Sequence, residues 1–234
     1  FILPVLMEKI FAPVRYPEGP FEIGSREHLR RTVLRYRHLP GYPRVFARMK
    51  IMIDPMFKEL DRYVKNPQRV IDIGCGYGVP ATWLLEIYPN AQVFGIEPDE
   101  ERVLIASRVI GNRGKVEVGR APDLPQIEGP VDHVLMLDML HYISDNDVRI
   151  VFQRIHDKLT ADGTLLVRAT VPSDKPNPWK RWIEEARLKW TGIPNRFRSE
   201  LEIVDFMKKA GFAVNVFASD TREIEEKWFV GKKL

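Results

Sequence analysis

Cysteine is nearly missing from this chain: Cys75 is its one thiol in 234 residues. No disulfide can form within the chain, and a reducing compartment is expected. Cysteine and histidine at zinc-ligand spacing are absent too, so no structural zinc site is expected. No apolar run has the length of a membrane-spanning helix. There are no internal repeats and no low-complexity tracts, which excludes a repeat architecture. A strong charge of one sign is also lacking. The net charge is +4 and the pI about 9.1, mildly basic and too little to imply a nucleic-acid partner.

An initial methionine is missing as well. The chain opens on Phe1-Ile-Leu-Pro-Val-Leu-Met-Glu-Lys-Ile-Phe11. Two readings of this apolar stretch stand: a helix docking on the domain, or the tail of a longer parent chain, such as the end of a membrane helix. As it stands it is too short to span a bilayer. The expected location is cytoplasmic, at the inner face of a membrane under the second reading. Oligomeric state is not legible.

What is present suits one domain with an appendage: the length is moderate and 44% of the residues are apolar. The organising stretch is Arg69–Trp83, RVIDIGCGYGVPATW. Val70, Ile71 and Ile73 predict a short buried strand. Gly74, Gly76 and Gly78 then allow positive φ and a close approach to the main chain. From Val79 the chain is apolar enough for a helix packed on a sheet, with Pro80 in its first turn. Strand, glycine loop and helix N-terminus form the nucleotide-binding arrangement of a doubly wound sheet.

Gly76-Tyr-Gly78-Val-Pro-Ala81 fits the G-x-G-x-x-G/A dinucleotide pattern, with Glu97 about twenty residues on, so an NAD-dependent oxidoreductase is one reading. Asp72 argues against it, because an anion at the strand end repels a pyrophosphate and suits a cationic ligand. The run D-I-G-C-G-Y-G resembles motif I of the class I S-adenosylmethionine (SAM)-dependent methyltransferases. G-I-E-P-D-E-E-R, around Glu97, resembles motif II. Gly119-Arg-Ala-Pro-Asp-Leu-Pro125 is similar in part to the family's adenine loop, with Arg120 where an acid is usual. Asp138-Met-Leu-His-Tyr-Ile resembles motif IV.

This resemblance covers about residues 66–232. It implies an α/β fold: a doubly wound, seven-stranded, mostly parallel sheet with a reversed C-terminal strand. The order of elements agrees, since β and α patterns alternate through the middle and two strands close the chain. Residues 1–66 are expected as an N-terminal helical extension and 67–234 as the SAM-binding methyltransferase domain. SAM is then the cofactor and S-adenosylhomocysteine (SAH) its product. The resemblance implies cofactor contacts at Asp72, Gly74, Cys75, Gly76, Gly78, Glu97, Pro98, Arg120, Ala121 and Asp138. An arginine at 120 cannot accept a bond from the adenine amino group, so recognition there passes to the backbone around Ala121 or to stacking by Arg120. No metal site is expected.

His141 is the candidate general base or acceptor contact, since imidazole titrates near neutral pH. The bland reading is a structural histidine that holds its loop. For Cys75 the bland reading, a small buried residue in a tight loop, is favoured over a nucleophile. The basic run Arg26, Arg30, Arg31, Arg35, Arg37, Arg44, Arg48 and Lys50 reads either as a surface for an anionic group or as a solvated helix face. Residues 171–198 are expected to form a cap, with Trp179, Trp182 and Trp190 among cations. No N-P-P-[YF] signature of DNA or protein amino-methylating enzymes is present. The expected acceptor is therefore a small molecule or a lipid-like one, with peripheral membrane contact or fusion to a membrane protein as further partners. A non-catalytic accessory module anchored by the basic helices is the remaining alternative.

Overall fold

The computed structural model describes residues 21–39, 41–172, 196–220 and 226–234. The apolar start of the chain and most of the expected cap, with Trp179, Trp182 and Trp190, lie outside the described residues.

Among the described residues three helices precede the sheet: α1 (Arg26–Leu34), α2 (Gly41–Ile53) and α3 (Met56–Tyr63). Ser25 caps α1, its hydroxyl accepting from the His28 N–H at 3.2 Å. α2 starts at Gly41 because Pro43 falls in its first turn, where a missing N–H is harmless. Asp54 and Pro55 separate α2 from α3, with the Asp54 carboxylate accepting from the Met56 N–H at 3.0 Å.

Five strands and their helices then alternate: β1 (Arg69–Ile73), α4 (Val79–Ile87), β2 (Gln92–Glu97), α5 (Glu100–Ile110), β3 (Gly114–Val118), β4 (Val131–Leu137), α6 (Asp145–Lys158) and β5 (Leu159–Thr170). α7 (Glu200–Lys209), β6 (Phe212–Ala218) and β7 (Glu226–Lys233) close the chain. The order across the sheet is β3-β2-β1-β4-β5-β7-β6. β1 to β5 are parallel, and β7 runs antiparallel to both its neighbours. The expected seven-stranded sheet with its reversed C-terminal strand is therefore present. Asp162-Gly163 lies within β5 and is absorbed into a register shift between β4 and β5.

Alternation along the strands divides the core. Val70, Leu135 and Leu166 pack with Trp83, Phe57 and Tyr36 under α1 to α5. Ile71, Val134 and Leu165 pack with Phe152, Ile155 and Met207 under α6 and α7. Each fully buried side chain of this size contributes about 1.5–3 kcal/mol. The three-helix preface is fastened through His28, which is fully buried and stacked on Trp83 with ring centroids 3.4 Å apart. Its Nε2 bonds to the Trp83 carbonyl at 3.0 Å and its Nδ1 accepts from the Gly24 N–H at 3.1 Å. Burial holds this imidazole neutral, with its pKa lowered to about 4. No described helix is long and apolar enough to cross a membrane.

Candidate active site

The carboxyl ends of β1, β2, β3 and β4 open into one cavity of about 910 Å³, near the top of the usual ligand-pocket range of about 300–1,000 Å³. It lies where strand order reverses about β1 and β4, the switch point of a doubly wound sheet.

The glycine loop forms its floor. The N–H groups of Gly74 and Cys75 both donate to the Ile96 carbonyl, at 2.9 and 3.2 Å, which ties the loop to β2. Gly76 has φ +55°, and a Cβ there would meet nothing within 4 Å, so its open side faces free space. Gly78 has φ +73°, and a Cβ there would lie 3.2 Å from the Ala106 Cβ of α5. Gly78 thus lets α4 approach α5 and is not in the cavity wall. Gly74, Cys75 and Gly76 are in it. Cys75 is buried and its thiol is held well above its ordinary pKa by burial, as suits the bland reading.

Two carboxylates stand over this floor. Asp72, second to last in β1, is 2% exposed, and its Oδ2 has no hydrogen-bond partner. Burial first, then repulsion from Glu97, pushes its pKa up to about 7. A buried carboxylate oxygen without a donor is costly unless a ligand supplies one. Glu97 ends β2 and accepts from the Gly76 N–H at 3.0 Å and the Asp99 N–H at 3.4 Å. Arg102 is 3.8 Å from it. Pro98 follows on the rim. Gly119, Arg120 and Ala121 form the wall beyond β3, with the Gly119 N–H donating to the Glu97 carbonyl at 3.1 Å. Ala121 is buried and Arg120 exposed.

Asp138 is also in the wall, with φ +56°, but its carboxylate is already engaged. Arg168 of β5, 1% exposed, donates to both its oxygens at 2.8 and 2.6 Å. The same guanidinium holds Asp54 at 3.0 Å and Glu226. This clamp joins the α2–α3 junction, β4, β5 and β7. His141 is not among the described residues that line the cavity. Its ring stacks on Phe197, with centroids 5.3 Å apart and an interplanar angle of 21°, and lies 4.0 Å from the Tyr142 ring. Arg198 pins the same loop by donating to the Leu140 and Ile143 carbonyls and to Asp145.

The opposite wall comes from residues that motif reading passes over. Tyr42, Phe46 and Lys50 stand one turn apart on α2 and face the cavity with Met56, Met139, Tyr142 and Arg196. Their i, i+4, i+8 spacing was the available signal. Phe46 and Tyr42 pack edge-on against Tyr77 of the glycine loop, with centroids 5.1 and 6.2 Å apart. The Tyr36 hydroxyl donates to the Tyr77 carbonyl at 2.9 Å, so the preface grips the loop directly. The basic run is scattered: Arg35 pairs with Glu86, Lys50 enters the cavity, and Arg30 and Arg44 crowd Arg48.

The residues present fit SAM. Asp72 Oδ2 is an orphaned acceptor for an ammonium, Glu97 offers acceptors beside the open side of Gly76, and neither suits a pyrophosphate.

Residues 70–163 match the family described as methyltransferase domain. Two curated relatives share the name malonyl-[acyl-carrier protein] O-methyltransferase. That of Legionella pneumophila is 25% identical over 171 residues, 72% of this chain and 56% of the relative. That of Laribacter hongkongensis is 29% identical over 190 residues, 75% of this chain and 61% of the relative. The chain spans less than two thirds of the length of these relatives. In fold it is similar to human N-acetylserotonin methyltransferase, solved in complex with SAM. The TM-score is 0.61 at 14% identity, over 89% of this chain and 57% of that one.

Proposed function

The chain belongs to the class I SAM-dependent methyltransferases, and from that premise we propose that it transfers a methyl group from SAM to an oxygen of a small-molecule acceptor. The orphaned, buried Asp72 carboxylate at the end of β1 carries this reading. It is the acceptor that a cationic amino-acid end needs, and it would repel a phosphate. The names of the two curated relatives described above support transfer to oxygen.

In this reading Asp72 and the backbone at Gly74–Gly76 hold the amino-acid end of the cofactor. Glu97, fixed by the Gly76 and Asp99 amides, holds the ribose hydroxyls. The backbone at Ala121 and the plane of Arg120 flank the adenine. SAM supplies a methyl group already activated by its sulfonium charge. The protein's share is then alignment and exclusion of water. Tyr42, Phe46, Met56 and Met139 suit an acceptor with an apolar body.

A thermal melt with SAH, SAM, NAD or no ligand tests this. A ligand at about a hundred times its dissociation constant adds about 2.7 kcal/mol, a rise of roughly 5–10 °C at this size. A rise with the adenosyl ligands alone is expected. A rise with NAD alone overturns the cofactor assignment, and no response to any ligand favours the accessory-module reading.

A further inference from the structure

We infer that Asp147, in the first turn of α6, reads the adenine of the cofactor by accepting its exocyclic amino group, and so replaces the acid that the loop after β3 lacks. This deepens the SAM reading above and rests on it.

Four carboxylates line the cavity among the described residues: Asp72, Glu97, Asp138 and Asp147. In that reading the first two serve the amino-acid end and the ribose. Asp138 gives both oxygens to Arg168. Asp147 has no task yet. It is half-buried, and its Oδ2 accepts from the Ser144 hydroxyl at 2.6 Å. Its Oδ1 has no donor among the described residues.

Helical spacing aims this carboxylate at the adenine loop. Asp147, Val151, Arg154 and Lys158 share one side of α6. Along that side Lys158 donates to the Ile127 carbonyl. Arg154 donates to the Pro122 carbonyl at 2.9 Å and to Asp123 at 2.7 Å. Helix and loop thus run side by side, earlier residues against earlier residues. Asp147 lies seven residues before Arg154, about 10 Å along the helix. That brings it level with Gly119, Arg120 and Ala121, which share the cavity wall with it.

Helix capping accounts for half of the side chain. Ser144 caps α6 and its Oγ accepts from the Asp147 N–H at 3.1 Å. A full capping box also returns a bond from the cap's own N–H to the acid. Glu202 of α7 makes that bond with the Ser199 N–H at 2.8 Å, and it is absent at Asp147. The cap therefore uses Oδ2 and leaves Oδ1 to the cavity.

Adenine presents an amino donor beside the N1 acceptor. The cavity offers the complement: the Asp147 carboxylate, and the Ala121 N–H, which has no acceptor among the described residues. Hypoxanthine reverses both atoms, with O6 as an acceptor and N1–H as a donor. Arg120 has only donors and would favour hypoxanthine. The two side chains therefore predict opposite preferences.

Titration calorimetry of the purified chain with SAH and with S-inosylhomocysteine, its hypoxanthine analogue, decides between them. SAH should bind about 10- to 100-fold more tightly, since the analogue leaves buried polar groups unpaired. The Asp147→Asn amide can donate to O6, so the preference for SAH should shrink at least about fivefold. In Asp147→Ala it should shrink as well. A purely structural role would weaken both ligands alike and leave their ratio unmoved. Equal or tighter binding of S-inosylhomocysteine by the parent overturns the inference and gives the adenine edge to Arg120. A ratio unchanged in both variants overturns it too, and leaves the cofactor reading standing. Failure of the parent to bind either ligand overturns the cofactor reading itself.

Discussion

The two walls of the cavity hold their residues by different means. The strand-end wall is fixed by backbone. Asp72 sits opposite Gly95 in β2 and Leu135 in β4, and Glu97 opposite Val118 in β3, so ladder register sets where each carboxylate points. The helical wall is fixed by side chains. His28 on Trp83, Tyr36 on the Tyr77 carbonyl and Asp54 on Arg168 join elements far apart in sequence. On the proposed function the wall set by register holds the cofactor, and the wall held by side-chain contacts faces the acceptor.

The most severe break of that contrast is Asp72→Asn. Removing one partner of a buried ion pair costs about 3–5 kcal/mol, so SAH affinity should fall at least about 100-fold. The unliganded protein should move the opposite way. The carboxyl's folded pKa, about 7, lies above its unfolded value, so the folded state binds more protons between pH 4 and 7 and loses stability as pH rises through that window. The variant lacks this penalty and should melt higher than the parent at pH 8. Differential scanning calorimetry and SAH titration read the two halves, and a lower melting temperature would contradict the electrostatic account.

His28→Ala should act on the other wall, costing about 3 kcal/mol, or roughly 6–12 °C of melting temperature. Here the sign is reversed. The folded pKa, about 4, is below the unfolded 6.5, so this stability is complete above pH 6.5 and is lost as pH falls toward 4. Melts from pH 7 to 4.5 should show that slope in the parent and not in the variant. Tyr36→Phe joins the walls and removes one bond to the glycine loop. SAH affinity should weaken about fivefold, near 1 kcal/mol, with the fold intact. Unchanged affinity would mean that the preface does not position the loop. The smallest effect is expected for His141→Ala, whose ring stacks on Phe197 outside the cavity lining, with kcat within about twofold. A loss of about 100-fold or more would restore His141 as a base.

Legibility in the sequence follows the same division. β1 falls where Val70, Ile71 and Ile73 predicted a strand, and the order of strands and helices is as read, because buried parallel strands leave unbroken apolar runs. Asp72 and Glu97 stood out as acids directly after such runs. Gly78 was harder to place, since a glycine needed for helix packing and one needed for a ligand look alike in a motif. The start of α2 was hidden by Gly41-Tyr42-Pro43, which reads as a breaker until its position in a first turn is known. Lys50 read as one cation in a run, and Arg196 lay in a proline-punctuated stretch. Only the folded chain brings them to one cavity. Asp138 carried the motif, while its partner Arg168 was an unremarked position in β5.

The most direct test of the central claim is the pH dependence of SAH affinity in the parent protein, measured by calorimetry from pH 5.5 to 8.5. If the Asp72 carboxylate receives the ammonium, affinity levels off above pH 7 and falls about tenfold per unit below it, as binding must first expel a proton. An affinity that is flat across that range, or an SAH signal no larger than buffer, would contradict the assignment of the strand-end wall to the cofactor.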